Sequence, residues 1–224
     1  MKTRLTMLFC TLALIGCHAV PRTLVLDSGE RGESAAHAAA HTYRVETSWG
    51  MGSGWAWDHD TIITNRHVVG IASAEGLTIE QGDLTWTVIH VERIDGMDVA
   101  LLDVIGPPLP VPDIRAFGMK VGESVTMSGH PHGNPECITT WGFVAGRWFW
   151  RDMIVDGAII PGMSGGPVFD SDGRVVGMNV ATTTPPGRAL GIVIDISDIV
   201  RGIANDSIDF MEPLVPFAEG EPVG

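Results

Sequence analysis

From Arg44 to Ile194 the chain is divided into short β-type runs broken by Gly, Asp, Asn and Pro. The runs are Arg44 to Trp49, Gly54 to Trp57, Thr61 to Thr64, Leu77 to Ile79, Thr85 to Ile94, Val99 to Val104, Ser124 to Ser128, Ile138 to Val144, Trp148 to Val155, Val168 to Phe169, Val175 to Val180 and Leu190 to Ile194. Strand-length runs at this spacing predict an antiparallel barrel or sandwich. Asp95-Gly96, Asp156-Gly157 and Asp172-Gly173 supply turn chemistry between several of them, the Asp by bonding nearby backbone and the Gly by tolerating left-handed angles. Only Ser197 to Ala204 reads as helical, with Ser197 as N-cap and Ile199, Val200 and Ile203 on one face. The 224 residues suffice for one all-β domain of this type and leave no room for a second large one.

The N-terminus reads differently. Lys2 and Arg4 precede an apolar stretch (Leu5, Met7, Leu8, Phe9, Leu12, Ala13, Leu14, Ile15) that ends at small Gly16, the pattern of an export signal. The stretch falls short of the roughly 20 residues that cross a bilayer core. Leu14-Ile15-Gly16-Cys17 resembles the lipobox of bacterial lipoproteins, which implies lipid on Cys17 and membrane attachment through it; the alternative is an ordinary signal cut near Ala19. Val20 to His41 reads as a flexible tether, or as a short helix over Ser34 to His41 with little to bury. The expected layout is a signal over 1–17, a flexible linker over 18–42, the folded domain over 43–204 and a tail over 205–224. Three prolines in that tail argue against a continuous helix there.

Export agrees with cysteine usage. Cys10 and Cys17 belong to the signal region, so Cys137 stands alone in the folded body and no internal disulfide can form there. The formal net charge of −13 becomes −15 when Lys2 and Arg4 are lost, which disfavours nucleic-acid binding through a general basic surface.

Three motifs carry candidate chemistry. Pro161-Gly162-Met163-Ser164-Gly165-Gly166-Pro167 places a serine on a glycine-rich turn. An acyl-transfer nucleophile needs such a turn, because backbone amides must face the oxygen that becomes negative in the tetrahedral intermediate; a plain β-turn is the bland alternative. His67 follows a β-branched run, where it could project from a strand end, and Asp98 stands at the mouth of the apolar run Val99 to Leu102. Taken singly, such a histidine is commonly a satisfied surface or core residue and such an aspartate a turn residue. Their order along the chain, His67, Asp98, Ser164, is that of the chymotrypsin triad, which other triad folds do not share.

With these motifs the chain resembles the trypsin-like serine proteases, especially the HtrA-type bacterial branch. Further segments extend the resemblance: Gly52-Ser53-Gly54-Trp55, Thr64 to Val69, Gly129-His130-Pro131, Asp156 to Phe169, Gly177-Met178-Asn179 and Gly191 to Ile194. It implies an all-β fold of two six-stranded antiparallel β-barrels with the site in the cleft between them. It also implies a serine endopeptidase in which His67 takes the Ser164 proton, Asp98 orients the imidazole, and the backbone N–H groups of Gly162 and Ser164 form the oxyanion hole. No cofactor is implied, and the partners would be protein or peptide substrates. The specificity pocket would be lined by Ala158, Ile159, Ile160, Leu190, Gly191, Ile192 and Val193. That set contains no acid, so cleavage after small or medium aliphatic residues is expected.

The chain departs from the family at Met163, where Asn or Asp is usual, so activation by a buried new N-terminus has no partner. Ordering of the loops around Arg147 to Asp156 is the expected substitute. A PDZ domain, which usually follows in the HtrA branch, is not expected after Ala204. His130, His132 and Cys137 match no standard zinc spacing, and no metal is expected there. The tryptophans read as core or barrel-rim residues. Two other functions remain open at this stage, a catalytically silent binding protein on the protease fold and a structural envelope lipoprotein. The expected location is the bacterial cell envelope, lipid-anchored on the periplasmic side, or the extracellular medium.

Overall fold

The computed structural model describes residues 28–148, 152–183 and 190–209. Cys17, the signal segment and the end of the tail lie outside the described residues. The elements in chain order are α1 (Ser28–Ala40), β1 (Tyr43–Thr47), β2 (Gly50–Ala56), β3 (Thr61–Thr64), α2 (Arg66–Val69), β4 (Leu77–Gln81), β5 (Leu84–Arg93), β6 (Ala100–Ile105), β7 (Ser124–Gly129), β8 (Ile138–Trp148), β9 (Asp152–Asp156), β10 (Pro167–Phe169), β11 (Val175–Thr182), β12 (Gly191–Asp195) and α3 (Ile196–Asp209).

The strands close into two antiparallel barrels in the orders β1-β2-β3-β6-β5-β4 and β10-β11-β12-β9-β8-β7. The alternating runs explain why: β5 buries Trp86 and Val88 while Thr85, Thr87 and Ile89 between and beside them face out. Tyr43, Ile62, Ile79, Trp86 and Leu102 fill the first barrel, and Val125, Met127, Met153, Val155, Val168 and Val193 fill the second. A third cluster joins the two, with Trp55, Ile63, Val99 and Leu101 meeting Phe169, Val175, Met178 and Ile194. This shared apolar seam holds the barrels side by side and fixes the cleft between them.

The segment between the barrels is pinned by Arg115, whose side chain is only 5% exposed. It donates to the Phe117 and Gly118 carbonyls and to Glu123, with Asp170 3.5 Å away. Arg115→Ala strips a buried carboxylate of one partner and two carbonyls of their donors. It is expected to lower the urea-unfolding free energy by roughly 3 to 5 kcal/mol, and a change below about 1 kcal/mol would show that the network is not structural.

Two elements differ from the sequence reading. The stretch expected as a flexible tether contains α1, which docks on the second barrel: Ala38 is fully buried, His37 Nε2 bonds the Gly173 carbonyl at 2.9 Å, and the His37 ring stacks edge-on against Phe169. Thr42 Oγ1 and Gln81 Nε2 cap the carbonyls at its C-terminal end. In α3 the cap is Asp195 rather than Ser197, since Asp195 Oδ1 accepts both the Ser197 N–H and its hydroxyl. The helix runs on to Asp209, into the stretch expected as tail, and it buries Ile196 and Ile199 while Val200 is exposed. The expected single run Trp148 to Val155 divides between the end of β8 and the start of β9.

Candidate active site

His67 sits on the one-turn helix α2, directly after β3 has delivered the buried Thr64 and Asn65 to the barrel edge. Asp98 lies just before β6. The two meet closely: Asp98 Oδ1 accepts the His67 backbone N–H at 2.9 Å, and Asp98 Oδ2 pairs with His67 Nδ1 at 2.7 Å. Asn65 Nδ2 donates to the Asp98 carbonyl at 3.0 Å and holds the aspartate's own backbone. A carboxylate on Nδ1 assigns the ring proton to that nitrogen and leaves Nε2 with a lone pair, the form a general base requires. Arg66, Gly70, Gly96 and Met97 join His67 and Asp98 around an open pocket of ≈ 500 Å³.

Burial pushes the Asp98 carboxyl upward, but hydrogen bonds from the His67 side chain and backbone, with its charge, outweigh that and hold it below the usual carboxylate range. The linked stabilisation is therefore complete above the unfolded-state pKa and is lost as pH falls through the lower folded value. The stability gap between wild type and Asp98→Asn should narrow from roughly pH 5 toward pH 2 in urea titrations. A gap constant across that range would contradict the pairing.

Ser164 comes from the loop before β10 and is packed against the first barrel. Its carbonyl accepts the Ser53 N–H at 2.7 Å, and Gly165 is so close to Ser53 O and Asn65 N that a Cβ there would collide with backbone. The Ser164 hydroxyl donates to the Val180 carbonyl at 2.8 Å. Among the described residues no hydrogen bond joins it to His67, so the structure unites the histidine and aspartate but places the serine hydroxyl on another acceptor. Rotation about the Ser164 Cα–Cβ bond to another staggered position would release it without moving the loop backbone.

The amides around Ser164 follow a clear pattern. Every carbonyl from Pro161 to Ser164 is taken: by His132 N–H (2.9 Å), Ser53 Oγ (2.8 Å), Gly166 N–H (3.0 Å) and Ser53 N–H (2.7 Å) in turn. Of the N–H groups, Met163 donates to Ile160 O and Gly165 to Asn179 O. The Gly162 and Ser164 N–H groups have no acceptor among the described residues, and these are the two donors an oxyanion hole would need. Gly162 has φ +101°, and a Cβ there would lie 2.6 Å from both His130 O and His132 N, so only glycine fits.

Met163, the departure from the family pattern, is fully buried in the second barrel, where it continues the apolar core. Of the expected pocket residues, Ile159 is buried and packs over Gly191, and Val193 lies in the barrel interior. Ile160, Leu190 and Ile192 are partly exposed and Ala158 is exposed. His130 is buried with Nδ1 on the Asn134 carbonyl, and burial pushes its pKa down. Among the described residues no three His, Cys, Asp or Glu side chains are placed to share a metal ion. Sequence reading gave no role to Ser53, Asn65 or His132. The Gly52-Ser53-Gly54 motif was the one available signal.

Comparisons with known proteins identify the family and the fold. Residues 52–178 match the family model described as trypsin-like peptidase domain. The chain is 33% identical over 183 residues to Protease Do-like 1, chloroplastic, of Arabidopsis thaliana, covering 74% of this chain and 41% of that protein. It is 34% identical over 173 residues to a probable periplasmic serine endoprotease DegP-like of Pseudomonas putida (strain GB-1), covering 72% and 36%. The chain thus spans about two fifths of the length of these relatives. Among solved structures, the active form of the Rv3671c protease of M. tuberculosis superposes with a TM-score of 0.69 at 21% identity, covering 88% of this chain and 89% of that one. The serine endoprotease of Yersinia pestis gives a TM-score of 0.68 at 23% identity, covering 80% and 67%. These neighbours share the double-barrel fold.

Proposed function

Since the chain belongs to the trypsin-like peptidase family, of the HtrA kind, we propose that it is a serine endopeptidase working through an acyl-enzyme on Ser164. The observation that carries this reading is the pair of amides at Gly162 and Ser164 that have no acceptor among the described residues, together with a histidine oriented by Asp98. In the resting protein the Ser164 hydroxyl is held by Val180; with substrate bound it rotates toward His67. Nε2 takes its proton as Oγ attacks the carbonyl carbon, and the developing oxyanion is received by the two N–H groups. The imidazolium, stabilised by Asp98, then protonates the leaving amine, and water repeats the sequence to release the acid.

Ile159 packed over Gly191 narrows the second-barrel wall, which supports acceptance of small or medium aliphatic residues before the scissile bond. The signal-like stretch ending at Gly16 and the resemblance of Leu14-Ile15-Gly16-Cys17 to a lipobox support export and anchoring at a bacterial envelope. A peptide library read by mass spectrometry tests the specificity: Ala-to-Val-sized residues should dominate the cleaved position, by roughly 10²-fold over Arg and Lys. A profile dominated by Arg or Lys would reject this pocket, and no cleavage at all would favour a silent protein with the Ser164–Val180 contact as its resting form.

A further inference from the structure

We propose that Ser53 is a positioning residue that, with the turn His130–Asn134, holds the oxyanion hole in its working orientation before any substrate or activator arrives. The inference rests on the endopeptidase reading and adds a preset, constitutive geometry to it.

A trans peptide is planar, so a carbonyl and the following N–H point in opposite directions. Whatever fixes the Pro161 carbonyl therefore fixes the Gly162 N–H. That carbonyl accepts the His132 N–H at 2.9 Å, which turns the Gly162 N–H away from the turn and leaves it without an acceptor among the described residues. Reversing this peptide would break that bond and present a carbonyl where the oxyanion needs a donor.

Ser53 secures the next peptide. The His130 N–H donates to Ser53 Oγ at 2.8 Å, and the single hydroxyl proton goes on to the Gly162 carbonyl, also at 2.8 Å. The direction of this relay is settled, because a backbone N–H can only donate. Through its own N–H Ser53 also grips the Ser164 carbonyl at 2.7 Å. One fully buried residue of the first barrel thus binds the Gly162–Met163 and Ser164–Gly165 peptides, which flank the Met163–Ser164 peptide that carries the second donor, and ties them to the second barrel's turn. His132 adopts left-handed angles (φ 53°), alone among the described non-glycine residues, and in that conformation its N–H serves Pro161.

Ser53→Ala removes the hydroxyl relay and keeps the N–H. Its kcat should fall about 10- to 100-fold with KM changed less than about twofold, less than the loss from removing a donor outright. Affinity for a peptidyl boronate, whose tetrahedral adduct places an oxygen in the hole, should fall in parallel, while binding of the corresponding product peptide stays the same. Ser53→Thr, which retains a hydroxyl, should recover most of the loss. Equal kcat and boronate affinity in Ser53→Ala and wild type, or a rise in KM alone, would overturn the proposal. Crystal structures of the wild type, free and with boronate, supply a test that requires no variant. The Pro161–Gly162 peptide should point the same way in both, and a reversed peptide in the free protein would overturn presetting. A wild type that neither cleaves peptides nor forms the adduct would instead overturn the endopeptidase reading, and the inference with it.

Discussion

Ser164→Ala is expected to lower kcat on a peptide substrate by roughly 10⁶-fold while leaving the protein folded. Among the described residues the side chain makes one hydrogen bond, to the Val180 carbonyl, whereas the loop is held by backbone bonds that alanine preserves. The stability cost should stay near 1 kcal/mol, so thermal unfolding and peptide hydrolysis, measured on the same preparation, separate chemistry from folding. A residual acceleration of about 10³- to 10⁴-fold over water should persist, because the Gly162 and Ser164 amides remain in place. A loss below about 100-fold would mean that another group is the nucleophile.

The second large effect is at Asp98. Asp98→Asn is expected to reduce kcat by about 10⁴-fold. One carboxylate oxygen accepts the His67 backbone N–H and the other faces Nδ1. The amide oxygen of asparagine is needed for the backbone N–H, which leaves its NH₂ facing Nδ1. That nitrogen must then accept, the ring proton moves to Nε2, and the imidazole can no longer take the proton of Ser164. Steady-state kinetics provide the measurement; a variant within tenfold of wild type would show that Asp98 does not set the tautomer.

Legibility in the sequence followed the range of the interactions. The strands were readable because alternation is local: Trp86 and Val88 point inward from β5 in a pattern visible without partners. The helix α1 was readable only as a short alternative over Ser34 to His41 with little to bury, since it has no apolar stripe. What holds it is one buried alanine and contacts made by His37, Thr42 and Gln81, of which Gly173 lies 136 residues from His37. The start of α3 was misplaced by two residues because Asp195 and Ser197 are equally plausible caps, and only the end of β12 decides between them. In the site, the histidine, aspartate and serine could be nominated from order and neighbours. Ser53 could not, because its partners are 77 and 109 residues away. Nor could the resting direction of the Ser164 hydroxyl, which depends on a carbonyl of β11 rather than on any side-chain pattern.

Ser164 becomes a nucleophile only when His67 takes its proton. Labelling the folded protein with a fluorophosphonate and locating the adduct by peptide mass spectrometry tests this most directly. Modification should fall on Ser164, and it should be lost in His67→Ala, which should remain folded by circular dichroism although it loses the Asp98 pairing. A wild type that stays unlabelled while folded, or an adduct on a different serine, would contradict it.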